Sequence, residues 1–81
     1  MEMQELQLLK GFERDSRWFH ENVDNLREQN FTNKFVAIAD EKPVASDRDI
    51  DIVIKNVEKE GRNPACTFIE FVYPKGFTLL L

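Results

Sequence analysis

The chain has 81 residues, 42% of them hydrophobic and seven of them phenylalanine, and it carries a formal net charge of −4. That length admits a single domain near the lower limit for independent folding, with enough apolar content for a genuine core. The charge runs −3 over residues 1–30, −2 over 31–60 and +1 over 61–81; no basic stripe is present to track a phosphate backbone, and nucleic acid is disfavoured as a partner.

Residues 2–30 read as helical. Met3, Leu6 and Leu9 (or Phe12) recur at helical spacing, Phe19, Val23 and Leu26 continue the pattern, and Leu8 and Trp18 widen the stripe. Gly11 is the internal weak point, and Asp15 and Ser16 are residue types that cap a fresh start. The stretch therefore reads as one helix or two, the favoured division being a short or mobile helix over 1–14 and a firm one from about residue 15 to 30. Residues 31–34 break it. Phe35–Ala39 then forms a compact apolar strand, residues 40–42 supply turn chemistry, and Val44 and Ala45 begin a return strand, so the pair reads as a β-hairpin. Pro43 has no N–H for a ladder, so the return strand is expected to lie at a sheet edge or to begin just after the proline.

Residues 46–61 alternate in part like a strand, yet helix is the better reading. Ser46 with Asp49 resembles a capping box, Lys55 and Lys59 sit towards the end, and Gly61 occupies the position of a left-handed C-cap residue. Ile50, Val53, Ile54 and Val57 share one face, with Ile52 at its flank. Asn63 and Pro64 turn the chain into the strongest strand signal, residues 65–73, with Ile69, Phe71 and Tyr73 on one face and Phe68, Glu70 and Val72 on the other. Residues 74–76 form another turn, and residues 77–81 read as a short fourth strand or a docked tail. A right-handed crossover through the second helix sets the last strand parallel to the return strand, with the first strand between them, giving the order 2-1-3. The expected architecture is an α+β domain over residues 1–81, with its helices packed on one face of a small three-stranded sheet, residues 15–74 as core and 75–81 as an apolar tail.

Trp18, Asn22 and Leu26 on a helix, the strand from Lys34 to Ile38, Val44 and Ala45, and a helix ending in Gly61 and Pro64 before an apolar strand together resemble a family of small archaeal and bacterial proteins catalogued only as a domain of unknown function. The resemblance covers roughly residues 16–74. It implies the fold and carries no activity and no catalytic residue, because the residues that make it are packing and turn residues.

The chemistry-bearing residues point away from catalysis. His20, the only histidine, needs an orienting carboxylate such as Glu21 or Asp24 to act as a base. Ser16 and Ser46 lack the flanking glycines of a nucleophile elbow, and Cys66 lies inside the predicted last strand, where a buried thiol is the usual outcome. Asp40, Glu41, Asp47, Asp49 and Asp51 invite a cation, but no glycine between them supplies the sharp turn of a calcium loop, and turn and helix-start roles account for each. Glycines 11, 61 and 76 stand too far apart for a phosphate loop. Arg14, Arg17 and Trp18 are offset by Glu13, Asp15 and Glu21. The expectation is therefore no catalytic residue, no cofactor and no metal.

Burying Phe77, Leu79, Leu80 and Leu81 is worth roughly 1.5–3 kcal/mol each, against about 1–2 kcal/mol per residue for ordering the backbone. An idle tail is the least favourable of its options; docking on its own domain or on another molecule are the others. Met3, Leu6 and Leu9 offer a second apolar surface, since an isolated helix this short needs something to pack on. The function expected is a protein–protein interaction or regulatory accessory module without catalysis, acting on a protein partner or on a second copy as a homodimer. The alternatives are a nucleic-acid-associated regulator and a small enzyme. No apolar run approaches a membrane span, the acidic start does not read as a signal peptide, and one cysteine suits a reducing compartment, so a soluble cytoplasmic protein is expected.

Overall fold

The computed structural model describes residues 2–75, residues 2–10 by their backbone alone. Helix α1 spans Glu2–Glu28, strand β1 Phe35–Ala39, strand β2 Lys42–Asp47, helix α2 Ile50–Lys59 and strand β3 Phe68–Phe71, with one turn of 3₁₀ helix at Pro64–Cys66. No helix among the described residues is long and apolar enough to cross a membrane.

The favoured division of the first helix into two is not what the chain does: α1 runs unbroken through Gly11, Asp15 and Ser16. Asp15 is not free to cap a new helix. Its carboxylate is turned onto the sheet, 7% exposed, and accepts the N–H of Glu41 at 2.9 Å. The helix stops at a left-handed residue, Asn30, with φ 70°. Behind it the Phe31 N–H reaches the Leu26 carbonyl at 3.1 Å, the long bond of a Schellman cap made with asparagine in place of glycine.

The hairpin forms, but its turn is shorter than the expected residues 40–42 and the return strand begins at Lys42, ahead of Pro43. Ala39 pairs with Lys42, and the two residues between them, Asp40 and Glu41, both take positive φ, 53° and 59°, the mark of a type I′ turn. Register passes from Ala37↔Ala45 to Ile38↔Pro43, leaving Val44 as a bulge on the proline-bearing edge strand.

The second helix starts later than the sequence suggests. Ser46 is still in β2, paired with Val36, so its backbone belongs to the ladder and the cap passes to Asp49, whose carboxylate accepts the Asp51 N–H at 2.9 Å. At the other end Gly61 (φ 79°) is the left-handed cap. The Gly61 and Arg62 N–H groups bond the carbonyls of Glu58 and Val57 at 2.9 and 3.2 Å, as the sequence predicts. The last strand also begins late, because Asn63 nucleates a local turn. Its side chain accepts the Ala65 N–H at 2.9 Å, and its carbonyl accepts the Cys66 N–H at 3.0 Å. Cys66 therefore sits outside β3 and is exposed rather than buried.

The sheet order is β2-β1-β3, both neighbours antiparallel to β1, which makes β3 parallel to β2 as the crossover requires. The helices, however, do not share one face. Val36 and Ile38 pack with Phe19 and Leu26 of α1 and with Phe68 and Val72, while Ala37 packs with Val53 and Val57 of α2. Side chains alternate along a strand, so α1 and α2 cover opposite faces. The reason lies in β1. Val36, Ala37, Ile38 and Ala39 are all 6% exposed or less, and a strand apolar on both sides has to be covered on both sides.

Candidate functional site

Helix α1 lies along β3. At one end the rings of Phe12 and Phe68 meet edge to face at 5.4 Å; at the other the Arg27 Nε donates to the Tyr73 carbonyl at 2.7 Å. Between these ties an open groove of about 380 Å³ is lined by Phe19, His20, Val23 and Arg27 from the helix and Glu70, Phe71 and Tyr73 from the strand side. Phe19 is buried at its base, while the Phe71 ring, edge to face with Phe35 at 5.0 Å and with Tyr73 at 4.9 Å, lies on the α2 side of the sheet. The polar groups of the rim are already engaged. Arg27 also holds Asp24 at 2.7 Å, and the Glu70 carboxylate accepts the Phe71 N–H at 3.2 Å.

His20 belongs to this groove rather than to an acid–base pair. Its Nδ1 bonds the Ser16 carbonyl one turn back at 2.8 Å, so neither Glu21 nor Asp24 orients it. Cys66 lines a different recess, of about 160 Å³, at the hairpin end of the molecule, together with Gly11, Arg14, Asp15, Asp40 and Arg62. There Asp40 bridges Arg14 at 3.3 Å and Arg62 at 3.5 Å, and Arg14 reaches Asp15 at 3.5 Å. This cluster clamps the hairpin turn between the first helix and the end of the second. Asp47 and Asp49 serve the start of α2, where Asp47 accepts the Asp49 N–H and Asp49 the Asp51 N–H, both at 2.9 Å. Among the described residues no three His, Cys, Asp or Glu side chains gather as a metal site.

Met3, Leu6 and Leu9 lie on the first turns of α1, whose side chains fall outside the described residues, as do Phe77, Leu79, Leu80 and Leu81 altogether. The helix backbone still places the first three. At 3.6 residues per turn, positions 3 and 6 fall on the side of the helix roughly opposite positions 15, 19 and 26, which meet the sheet, and position 9 falls on the flank. Sequence reasoning did not find Asp15 or Arg27. Asp15 had a signal, a carboxylate in step with Phe12, Phe19 and Leu26 on the core-facing stripe; Arg27 had none, because its partner is a carbonyl 46 residues away.

A family of unknown function (DUF5678) matches residues 27–75, more than half of the chain. The chain belongs to that family. The match runs from the last turn of α1 through β3, so the hairpin, α2 with Gly61 and the closing strand are family features, while Trp18, Asn22 and most of α1 precede it. No curated protein and no solved structure matches the chain.

Proposed function

We propose that this chain is a non-catalytic interaction module, a cytoplasmic accessory or regulatory protein that binds a protein partner or a second copy of itself. The surfaces assigned to that contact are the stripe of Met3, Leu6 and Leu9 and the apolar residues Phe77, Leu79, Leu80 and Leu81. The observation that carries the reading is the length of α1. Its 27 residues run about 40 Å, whereas strands of four to six residues span roughly 13–20 Å. Asp15 already stands at the tip of the hairpin, so the helix continues for some three turns past the sheet it covers. A helix extended that far past its own sheet is stabilised by packing on something else.

Other observations agree. Arg14, Arg27 and Arg62 each face a carboxylate, so these three are engaged within the fold rather than offered to a phosphate backbone. His20 bonds a backbone carbonyl within its own helix. An exposed Cys66 suits a reducing compartment.

Light scattering across micromolar to millimolar concentration tests the self-associating form of the proposal. Wild-type protein is expected to dimerise, and the pair Leu6→Asp and Leu9→Asp to weaken that dimer at least tenfold while circular dichroism keeps its helix signal. A monomer throughout, unchanged by the two substitutions, overturns self-association.

A further inference from the structure

We propose that Arg27 and Glu70 form a clasp on the outer edge of the sheet that keeps β3 from pairing with the β3 of a second copy. The strand order puts β3 at an edge, with β1 on one side and no strand among the described residues on the other. Which of its backbone groups face outward follows from the ladder. The Val72 N–H donates to the Lys34 carbonyl at 2.9 Å, and the Val72 carbonyl accepts the Asn33 N–H at 2.7 Å, so both groups of Val72 point towards the β1 side. Alternation turns those of Phe68 and Glu70 the same way, and those of Thr67, Ile69, Phe71 and Tyr73 towards the edge. Such a row is a template for another strand, but Thr67, Phe71 and Tyr73 each have an edge group already bound. The Thr67 N–H returns to the Pro64 carbonyl at 3.3 Å. The Glu70 carboxylate accepts the Phe71 N–H at 3.2 Å, and the Arg27 Nε donates to the Tyr73 carbonyl at 2.7 Å.

These bonds lie where self-pairing needs its groups. An antiparallel pair of β3 strands centred on Glu70 would set two carboxylates against each other, which is unfavourable. Centred on Ile69, the pair would draw in Thr67, whose N–H is spent on the 3₁₀ turn. Centred on Phe71, it would set Phe71 against its own copy and Ile69 against Tyr73, apolar side chains on both sides, with Glu70 opposite Val72. That register is the favourable one. Its bonds run from the Phe71 N–H to the Phe71 carbonyl and from the Ile69 N–H to the Tyr73 carbonyl, and each needs a group that Glu70 or Arg27 holds. Arg27 is itself fixed. Asp24 grips its guanidinium at 2.7 Å, and the side chain is only 22% exposed, so the donor is aimed at the edge by a charge-assisted bond. The inference does not depend on the proposed function, because the clasp closes the sheet edge and leaves the far end of α1 untouched.

Amide hydrogen exchange on the unmodified protein tests the clasp itself. Corrected for intrinsic rates, the Phe71 N–H is expected to exchange roughly tenfold more slowly than the Ile69 N–H on the same edge; equal rates overturn the proposal. Sedimentation velocity tests what the clasp prevents. The background is Leu6→Asp with Leu9→Asp, which silences the contact proposed for the first helix. On it, Arg27→Ala with Glu70→Ala is expected to tighten self-association by about tenfold or more, reversibly on dilution. Arg27→Lys with Glu70→Gln keeps a donor and an acceptor and is expected to stay at the level of the background. Association unchanged by the alanine pair, or raised equally by both pairs, overturns the proposal. An alanine pair that fails to fold leaves the decision to the exchange rates.

Discussion

Asp15 shows how one side chain can settle an element's course. Its carboxylate is 7% exposed, is aimed at the Glu41 N–H and lies beside Arg14, so a residue that invites a helix start instead ties the helix to the hairpin turn. Asp15→Ala removes the acceptor of the partly buried Glu41 N–H bond and is expected to lower stability by about 0.5–1.5 kcal/mol, read from the urea midpoint. Asp15→Asn keeps an acceptor oxygen and is expected to lose less. Backbone conformation decides two further positions. Gly61 takes φ 79°, and a Cβ there would meet nothing within 4 Å. The expected cost of Gly61→Ala, about 1 kcal/mol, is therefore conformational alone, and Gly61→Asn is expected to recover part of it in a thermal melt. Glu41 holds φ 59° in a two-residue turn that favours glycine at that place. Glu41→Gly keeps the N–H that Asp15 accepts and is expected to raise the melting temperature.

The elements divide by how local their causes are. The hairpin, its edge proline and the Gly61 cap were legible because turn geometry and capping need only neighbouring residues. The start of α2 was not, because Ser46 and Asp49 are both good caps and the choice between them is made by the place of Ser46 in the β2 ladder opposite Val36. Periodicity likewise placed Val53 and Val57 on the same face as Ile50, yet the first two are fully buried and Ile50 and Ile52 are 40% and 41% exposed. Val57→Ala is expected to cost roughly 1–3 kcal/mol and Ile52→Ala under about 0.5 kcal/mol, compared by denaturant unfolding. In α1, Gly11 has open space around its Cβ position. Gly11→Ala is expected to stabilise the helix by about 0.5–1 kcal/mol and to raise its ellipticity, an outcome that a break at this glycine would not produce. The groove was the least legible feature, since it exists only where Val23 and Arg27 of α1 come beside β3, more than 40 residues away in sequence.

For the whole molecule the decisive layer is β1, enclosed by two strands and two helices. A domain of this size has roughly 4–12 kcal/mol of stability in total. Ile38→Ala, at a position with no exposure at all, is expected to remove about 2–5 kcal/mol of it, shown as a lower urea midpoint with an unchanged slope. The kinds of element, their order, the hairpin and the arrangement 2-1-3 were all readable from the chain, because periodicity, turn chemistry and crossover handedness are properties of short stretches. Tertiary structure decided the rest. It made one helix where Gly11, Asp15 and Ser16 allowed two, moved the start of α2 and β3, exposed Cys66, and set α1 and α2 on opposite faces of the sheet. Each of those choices is a competition for the same backbone group or the same apolar face, and the winner is the partner that only the folded chain brings within reach.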